Sequence, residues 1–116
     1  LMFQMGGLGP MLGQLGFFFK FAGSTWEDKR PLQRYIDEAK RLLAVLETQL
    51  DDKDWITGTY SIADIAICPW LAGIDFYGAQ QVLGWDQLPK TSAYLDRFLA
   101  RPAVIKGRQI PPRTPQ

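Results

Sequence analysis

The chain has 116 residues, a net charge of +1 and an ordinary globular composition, 47% hydrophobic and 22% charged, which sets the scale of a single domain. The near-neutral charge gives no support to nucleic acid or an anionic membrane surface as a partner. The absence of histidine and the single cysteine, Cys68, exclude an imidazole base, an internal disulfide and a cysteine or histidine metal cluster, so no metal is expected.

Leu1 to Phe19 carries no charged residue, and by length alone would flag a membrane helix. Gln4, Gln14, Pro10 and five glycines argue against that, and no basic segment precedes it as in a signal peptide. The segment is expected to be a helix from Leu1 to about Met5, bent around Gly6 to Pro10 where proline removes a donor, and resuming through Phe21. Gly9 and Gly13 form a G-x-x-x-G that lets another helix or a ligand approach the backbone closely. The chain opens on Leu1 in mid-pattern and reads as a fragment that begins within its first helix.

Gly23 to Asp28 is a loop with capping residues. The second helix is expected to begin around Asp28 to Pro31, proline being tolerated in a first turn. Leu32, Tyr35, Ile36, Ala39, Leu42, Leu43, Leu46 and Leu50 recur at helical spacing, an apolar stripe over about five turns. Arg34, Asp37, Glu38, Lys40, Arg41 and Glu47 fall on the other faces as a largely solvated surface. The helix ends at the acidic turn Asp51-Asp52-Lys53-Asp54.

Ser61 followed by Asp64 at the head of an apolar run predicts a capping box. The Ser61 hydroxyl would accept from the Asp64 N–H while the Asp64 carboxylate reaches back to the Ser61 N–H, its charge suiting the positive end of the helix. Tyr60 and Ile65 stand at hydrophobic-staple positions. A structural lock is the reading of Asp64, with a catalytic carboxylate as the competing one. The apolar run Ile65 to Trp70 predicts a helix buried on every side, reaching about Tyr77 and kinked by Pro69. Cys68 lies within it as an inert core thiol rather than a redox nucleophile, and Trp70 reads as core. Residues 79 to 90 form a connection with room for a short helical turn. Ser92 to Ala100 is a further amphipathic helix, and Pro102 opens a last short one through Lys106. Ile110 to Gln116, with three prolines, is expected to be a flexible tail. The expected fold class is therefore all-α: four or five helices around a buried central helix, over residues 1–109.

Trp55-Ile56-Thr57-Gly58 leading into Tyr60-Ser61-Ile62-Ala63-Asp64-Ile65-Ala66 and Pro69-Trp70 resembles the central helix entry of the C-terminal domain of soluble glutathione transferases. The long run Phe3-Gln4-Met5-Gly6-Gly7-Leu8-Gly9-Pro10-Met11-Leu12-Gly13-Gln14 is similar to the first helix of that domain in one subgroup, the bacterial nu class and the related yeast nitrogen-regulation prion protein. Arg101-Pro102-Ala103-Val104 resembles the family's usual ending. The resemblance implies the helical half of a cytoplasmic enzyme. Its absent thioredoxin-like half would hold most of the glutathione and activate the thiol for disulfide or peroxide reduction or for conjugation. It also implies glutathione as co-substrate, a small hydrophobic electrophile or disulfide as second substrate, and a homodimer.

By that resemblance Gln4 matches a glutamine facing the glutathione site, against a plain capped or interface amide. Arg34 matches an arginine able to bind a glutathione carboxylate, against a solvated helix charge. Phe3 and Phe18 are candidates for the substrate cleft wall, with a core role the alternative for each. Ser61 and Asp64 are structural caps, and no catalytic residue is assigned in this chain. From the residues alone there is no nucleophile–base pair and no phosphate-cradling loop. The fragment by itself is expected to be inactive, and a non-catalytic interaction or regulatory module is the alternative function.

Overall fold

A computed structural model describes residues 1–114, and all of its regular structure is helical. The tail expected from Ile110 onward lies in part outside the described residues. Five α-helices follow in order: α1 Gly9–Phe19, α2 Arg30–Gln49, α3 Ile62–Tyr77, α4 Pro89–Leu99 and α5 Pro102–Gly107. Short 3₁₀ turns at Ala22–Thr25 and Trp85–Gln87 join them. Among the described residues no helix is long and apolar enough to cross a membrane.

The first helix is not broken at its glycines. Gln4–Leu8 forms a π-helical stretch that runs directly into α1, and the Gly9 N–H donates to the Gln4 carbonyl five residues back. The wider turn takes up Pro10, whose missing N–H and ring would otherwise disrupt a regular ladder. The helix stops at Phe19, two residues earlier than expected.

The apolar stripe of α2 is the main wall of the core, with Ile36, Ala39, Leu42, Leu43 and Leu46 buried. Leu8, Leu12 and Leu15 meet it from α1, and Ile67, Leu71 and Ile74 from α3. α3 is not buried on every side. Ala63, Asp64, Ile67, Cys68, Leu71 and Ile74 face inward, but Ile62 is 65% exposed, Ile65 50% and Phe76 59%. These residues recur at helical spacing, so an apolar stripe points outward as well as inward, a pattern that apolar content alone does not distinguish from full burial.

At the head of α3 the two-way cap is present as expected. The Asp64 carboxylate accepts from the Ser61 N–H at 2.9 Å, and the Ser61 side chain faces the Asp64 N–H as the box requires while its Oγ also accepts from the Ala63 N–H at 3.2 Å. Asp64 does more than close a helix. It is fully buried, and its Oδ1 also accepts from the Tyr94 hydroxyl at 2.6 Å and the Ile56 N–H at 3.0 Å. One carboxylate thus joins the loop before α3, the start of α3 and the middle of α4.

α4 begins at Pro89, three residues before the expected Ser92, because its cap comes from another helix. Leu88, the residue before it, offers no side-chain acceptor. Glu47 of α2 supplies one: Oε1 accepts from the Lys90 N–H at 2.7 Å, and Oε2 from the Thr91 N–H at 2.8 Å and the Thr91 hydroxyl at 2.7 Å. Glu47 therefore leaves the solvated face assigned to it from sequence. Its negative charge sits at the positive end of α4. Glu47→Ala is expected to cost about 0.5–2 kcal/mol, the range for a lost helix cap, measured as a lower denaturant midpoint at unchanged slope.

Candidate functional site

Glycines at positions 9, 13 and 16 put one edge of the first helix directly against α3. A Cβ on Gly16 would stand 2.6 Å from the Tyr77 ring, and one on Gly13 would touch the Trp70 ring at 3.8 Å. This close approach leaves an open groove of about 690 Å³ between Gln4, Met5, Gly9, Pro10 and Phe17 on one side and Trp70 of α3 on the other. Its lining holds no charged side chain. Gln4 sits in the π-helical stretch and is 6% exposed, so its amide is fixed by packing at the floor of the groove.

Arg34 lies elsewhere. With Met11, Arg30, Gln33, Asp37 and Glu38 it borders a second depression, of about 780 Å³, along the outer side of α2. Its neighbours are engaged with one another. Arg30 pairs with Asp28 at 2.8 Å, Arg41 with Glu38 at 2.6 Å, and Gln33 Nε2 donates to Asp37 Oδ1 at 2.7 Å. The Arg41 guanidinium hydrogen-bonded to Glu38 holds that carboxyl below its usual range. Among the described residues, Arg34 has no carboxylate within ion-pair distance.

The other two sequence candidates occupy separate places again. Phe3 borders a small apolar depression with Leu1, Val45 and Ile56. Phe18 belongs to an aromatic cluster, stacked on Tyr35 at 5.5 Å and edge-on to Phe17 at 4.9 Å and to Trp26 at 5.5 Å. Gln4, Arg34, Phe3 and Phe18 are therefore not brought together within this chain.

Trp70 was missed as a site residue. It is half-buried and lines the groove instead of filling the core. The signal was in the sequence, since the glycines of the G-x-x-x-G need a large partner across from them, and tryptophan is the largest side chain available on α3. Cys68 is fully buried, and burial pushes its thiol up to about 12, with a Tyr94 hydrogen bond opposing the shift. A thiol so far from ionisation is no nucleophile at neutral pH. The groove can position a ligand through its amide and its aromatic wall, but its lining supplies no acid, base or nucleophile.

Comparison with known proteins agrees with this geometry. Residues 30–97 match the family described as "Glutathione S-transferase, C-terminal domain". The chain is 38% identical over 105 residues to the disulfide-bond oxidoreductase YfcG of Escherichia coli, covering 90% of this chain and 46% of that protein. A glutathione transferase family member from Pseudomonas fluorescens, solved with two glutathione bound, superposes with a TM-score of 0.90 at 57% identity, over 91% of this chain and 48% of that one. A glutathione transferase from Pseudomonas putida, with one glutathione disulfide bound per subunit, gives 0.93 at 52% identity, over 95% and 48%. The chain spans about half the length of the curated relatives it matches. It belongs to the glutathione S-transferase C-terminal domain family.

Proposed function

We propose that residues 1–109 are the helical half of a glutathione-dependent enzyme that transfers thiols and reduces disulfides, with peroxide reduction and conjugation as the neighbouring chemistries. A thioredoxin-like half would hold most of the glutathione and lower the barrier to thiolate formation. The thiolate would attack one sulfur of a disulfide, forming a mixed disulfide and expelling the other sulfur as a thiolate, which then takes a proton. In this reading Gln4 faces bound glutathione, Arg34 binds one of its carboxylates, and Phe3 and Phe18 border the second-substrate cleft.

The observation that carries the proposal is the character of the first groove. It has a fixed amide and an aromatic wall but lacks every group that could activate a thiol. A wall of that kind suits one side of a cleft whose chemistry is supplied from the other side. The apolar stripe on the outside of α3, with Ile62 and Ile65 exposed, supports a covering partner of the same sort. The names of the relatives fit as well, one an oxidoreductase of disulfide bonds and others solved with glutathione or its disulfide. The finer assignment to the nu class and its prion-protein relatives, a cytoplasmic setting and homodimerisation through α1 belong to this reading. Met2 at 78% and Met5 at 63% exposure, in the turns that lead into α1, give an uncharged outer flank for a second copy.

Glutathione-dependent reduction of a small dialkyl disulfide tests the proposal. A protein that joins this domain to a thioredoxin-like half is expected to turn over, and the 116-residue chain alone is not. Turnover by the isolated chain would contradict it, and none by the two-domain protein would contradict it and favour a non-catalytic interaction module.

A further inference from the structure

Two side-chain N–H donors lie close together on the lining of the first groove. Gln4 Nε2 and Trp70 Nε1 both lie within 3.0 Å of the position a Cβ on Gly9 would occupy. Glycine at this position is what lets both nitrogens pack so close to the helix backbone, because any other side chain would collide with the amide. Neither N–H has a hydrogen-bond partner among the described residues. Neither is sealed off, since among the described residues no buried side-chain nitrogen or oxygen is left unpaired. Both therefore meet solvent at the floor of the groove. Two adjacent donors with no acceptor between them favour a ligand oxygen that accepts from both.

The charge of the groove decides which kind of oxygen. Its lining residues are all uncharged, and Met5, Pro10 and Phe17 present apolar surface beside the two donors. A carboxylate placed there would lose hydration with no cation to compensate it, which disfavours charged groups in such sites. A neutral carbonyl loses far less and gains the same two hydrogen bonds. We propose that Gln4 and Trp70 form a two-donor seat for an uncharged peptide carbonyl, with the apolar flank of the groove receiving the side chain next to it. This inference rests on the proposed glutathione-linked role and assigns this groove to the peptide part of a thiol or disulfide substrate. The carboxylates of such a substrate are left to Arg34.

The test is nuclear magnetic resonance of the nitrogen-15-labelled chain, which has four tryptophans and hence four indole N–H signals. That of Trp70 is identified by its loss in Trp70→Phe, which keeps the aromatic wall and removes the donor. Titration with N-acetylphenylalaninamide, a neutral peptide probe, is expected to move the Trp70 indole signal downfield in a saturable way. 3-Phenylpropionate, with the same ring and a carboxylate, is expected to leave it in place. Trp70→Phe should weaken amide binding, followed through the Gln4 side-chain signals, by about 2- to 10-fold, the equivalent of one neutral hydrogen bond. Gly9→Ala should abolish it. An indole signal unmoved by the amide, equal or tighter binding of the carboxylate, or unchanged affinity in Trp70→Phe would each overturn the seat. Failure of the disulfide-reduction assay bears on the glutathione reading alone, so either idea can fall while the other stands.

Discussion

Asp64→Ala is expected to lose about 3–5 kcal/mol of stability, well beyond the cost of an ordinary helix cap. The carboxylate is fully buried and receives three hydrogen bonds, from the Ser61 and Ile56 N–H groups and the Tyr94 hydroxyl. Alanine would leave these donors inside the fold without an acceptor, at about 1–3 kcal/mol for each buried group so stranded. The three share one acceptor and can partly rearrange, so their costs do not add in full. Ser61→Ala provides the internal comparison. It removes only the hydroxyl cap on the Ala63 and Asp64 N–H groups at the head of α3 and should cost about 0.5–2 kcal/mol. Asp64→Asn keeps the shape but turns one acceptor into a donor facing an N–H, so it should fall close to alanine. Denaturant melts check all three. Equal losses for Ser61→Ala and Asp64→Ala would show that Asp64 acts as a cap and nothing more.

The second large effect concerns ligand binding by the two-domain protein. Glutathione carries two carboxylates and its disulfide four, more than one thioredoxin-like site is expected to hold. Arg34 offers a planar fork able to meet a carboxylate in two charge-assisted bonds, and among the described residues its guanidinium forms no ion pair. A hydrogen bond to a charged group contributes about 1.5–3 kcal/mol. Arg34→Ala is therefore expected to weaken the complex with glutathione disulfide about 10- to 150-fold, at about 1.4 kcal/mol per tenfold. Arg34→Lys keeps the charge without the fork and should recover only part of the loss. Gln4→Ala, removing a neutral contact, should cost about 0.5–1.5 kcal/mol. Calorimetric titration measures each, and unchanged affinity in Arg34→Ala would return that residue to the solvated face.

What the sequence made legible follows from how local each signal is. The stripe of α2 and the Ser61–Asp64 box are written within a few residues of themselves, and both appear where expected. The start of α4 was misplaced because its cap, Glu47, lies 43 residues from Lys90 along the chain. The one local signal beside Leu88 was Pro89, which opens the helix but reads from sequence as part of the connection. The further bonds of Asp64 to Ile56 and Tyr94 were hidden for the same reason. The exposed stripe of α3 escaped notice because an apolar residue has the same identity whether it faces the core or a second domain. Proline and glycine at Gly6–Pro10 correctly marked an irregular helix, but they did not distinguish a bend from a π-helical stretch.

The candidate site was legible in its members more than in its arrangement. Gln4 was singled out through the resemblance, and the structure places it in a groove with Trp70. Arg34 borders a different depression, a separation set by the helix faces that carry the two residues. A substrate with several polar groups along its length could engage both places only if a group outside this domain, such as the proposed thioredoxin-like half, guides it between them.

The most direct measurement is a crystal structure of the two-domain protein with glutathione disulfide bound. The account predicts a ligand carboxylate within bidentate hydrogen-bonding distance of Arg34, and part of the ligand against Gln4 in the glycine-lined groove. A ligand held entirely by the thioredoxin-like half, with neither Gln4 nor Arg34 in contact, would contradict it.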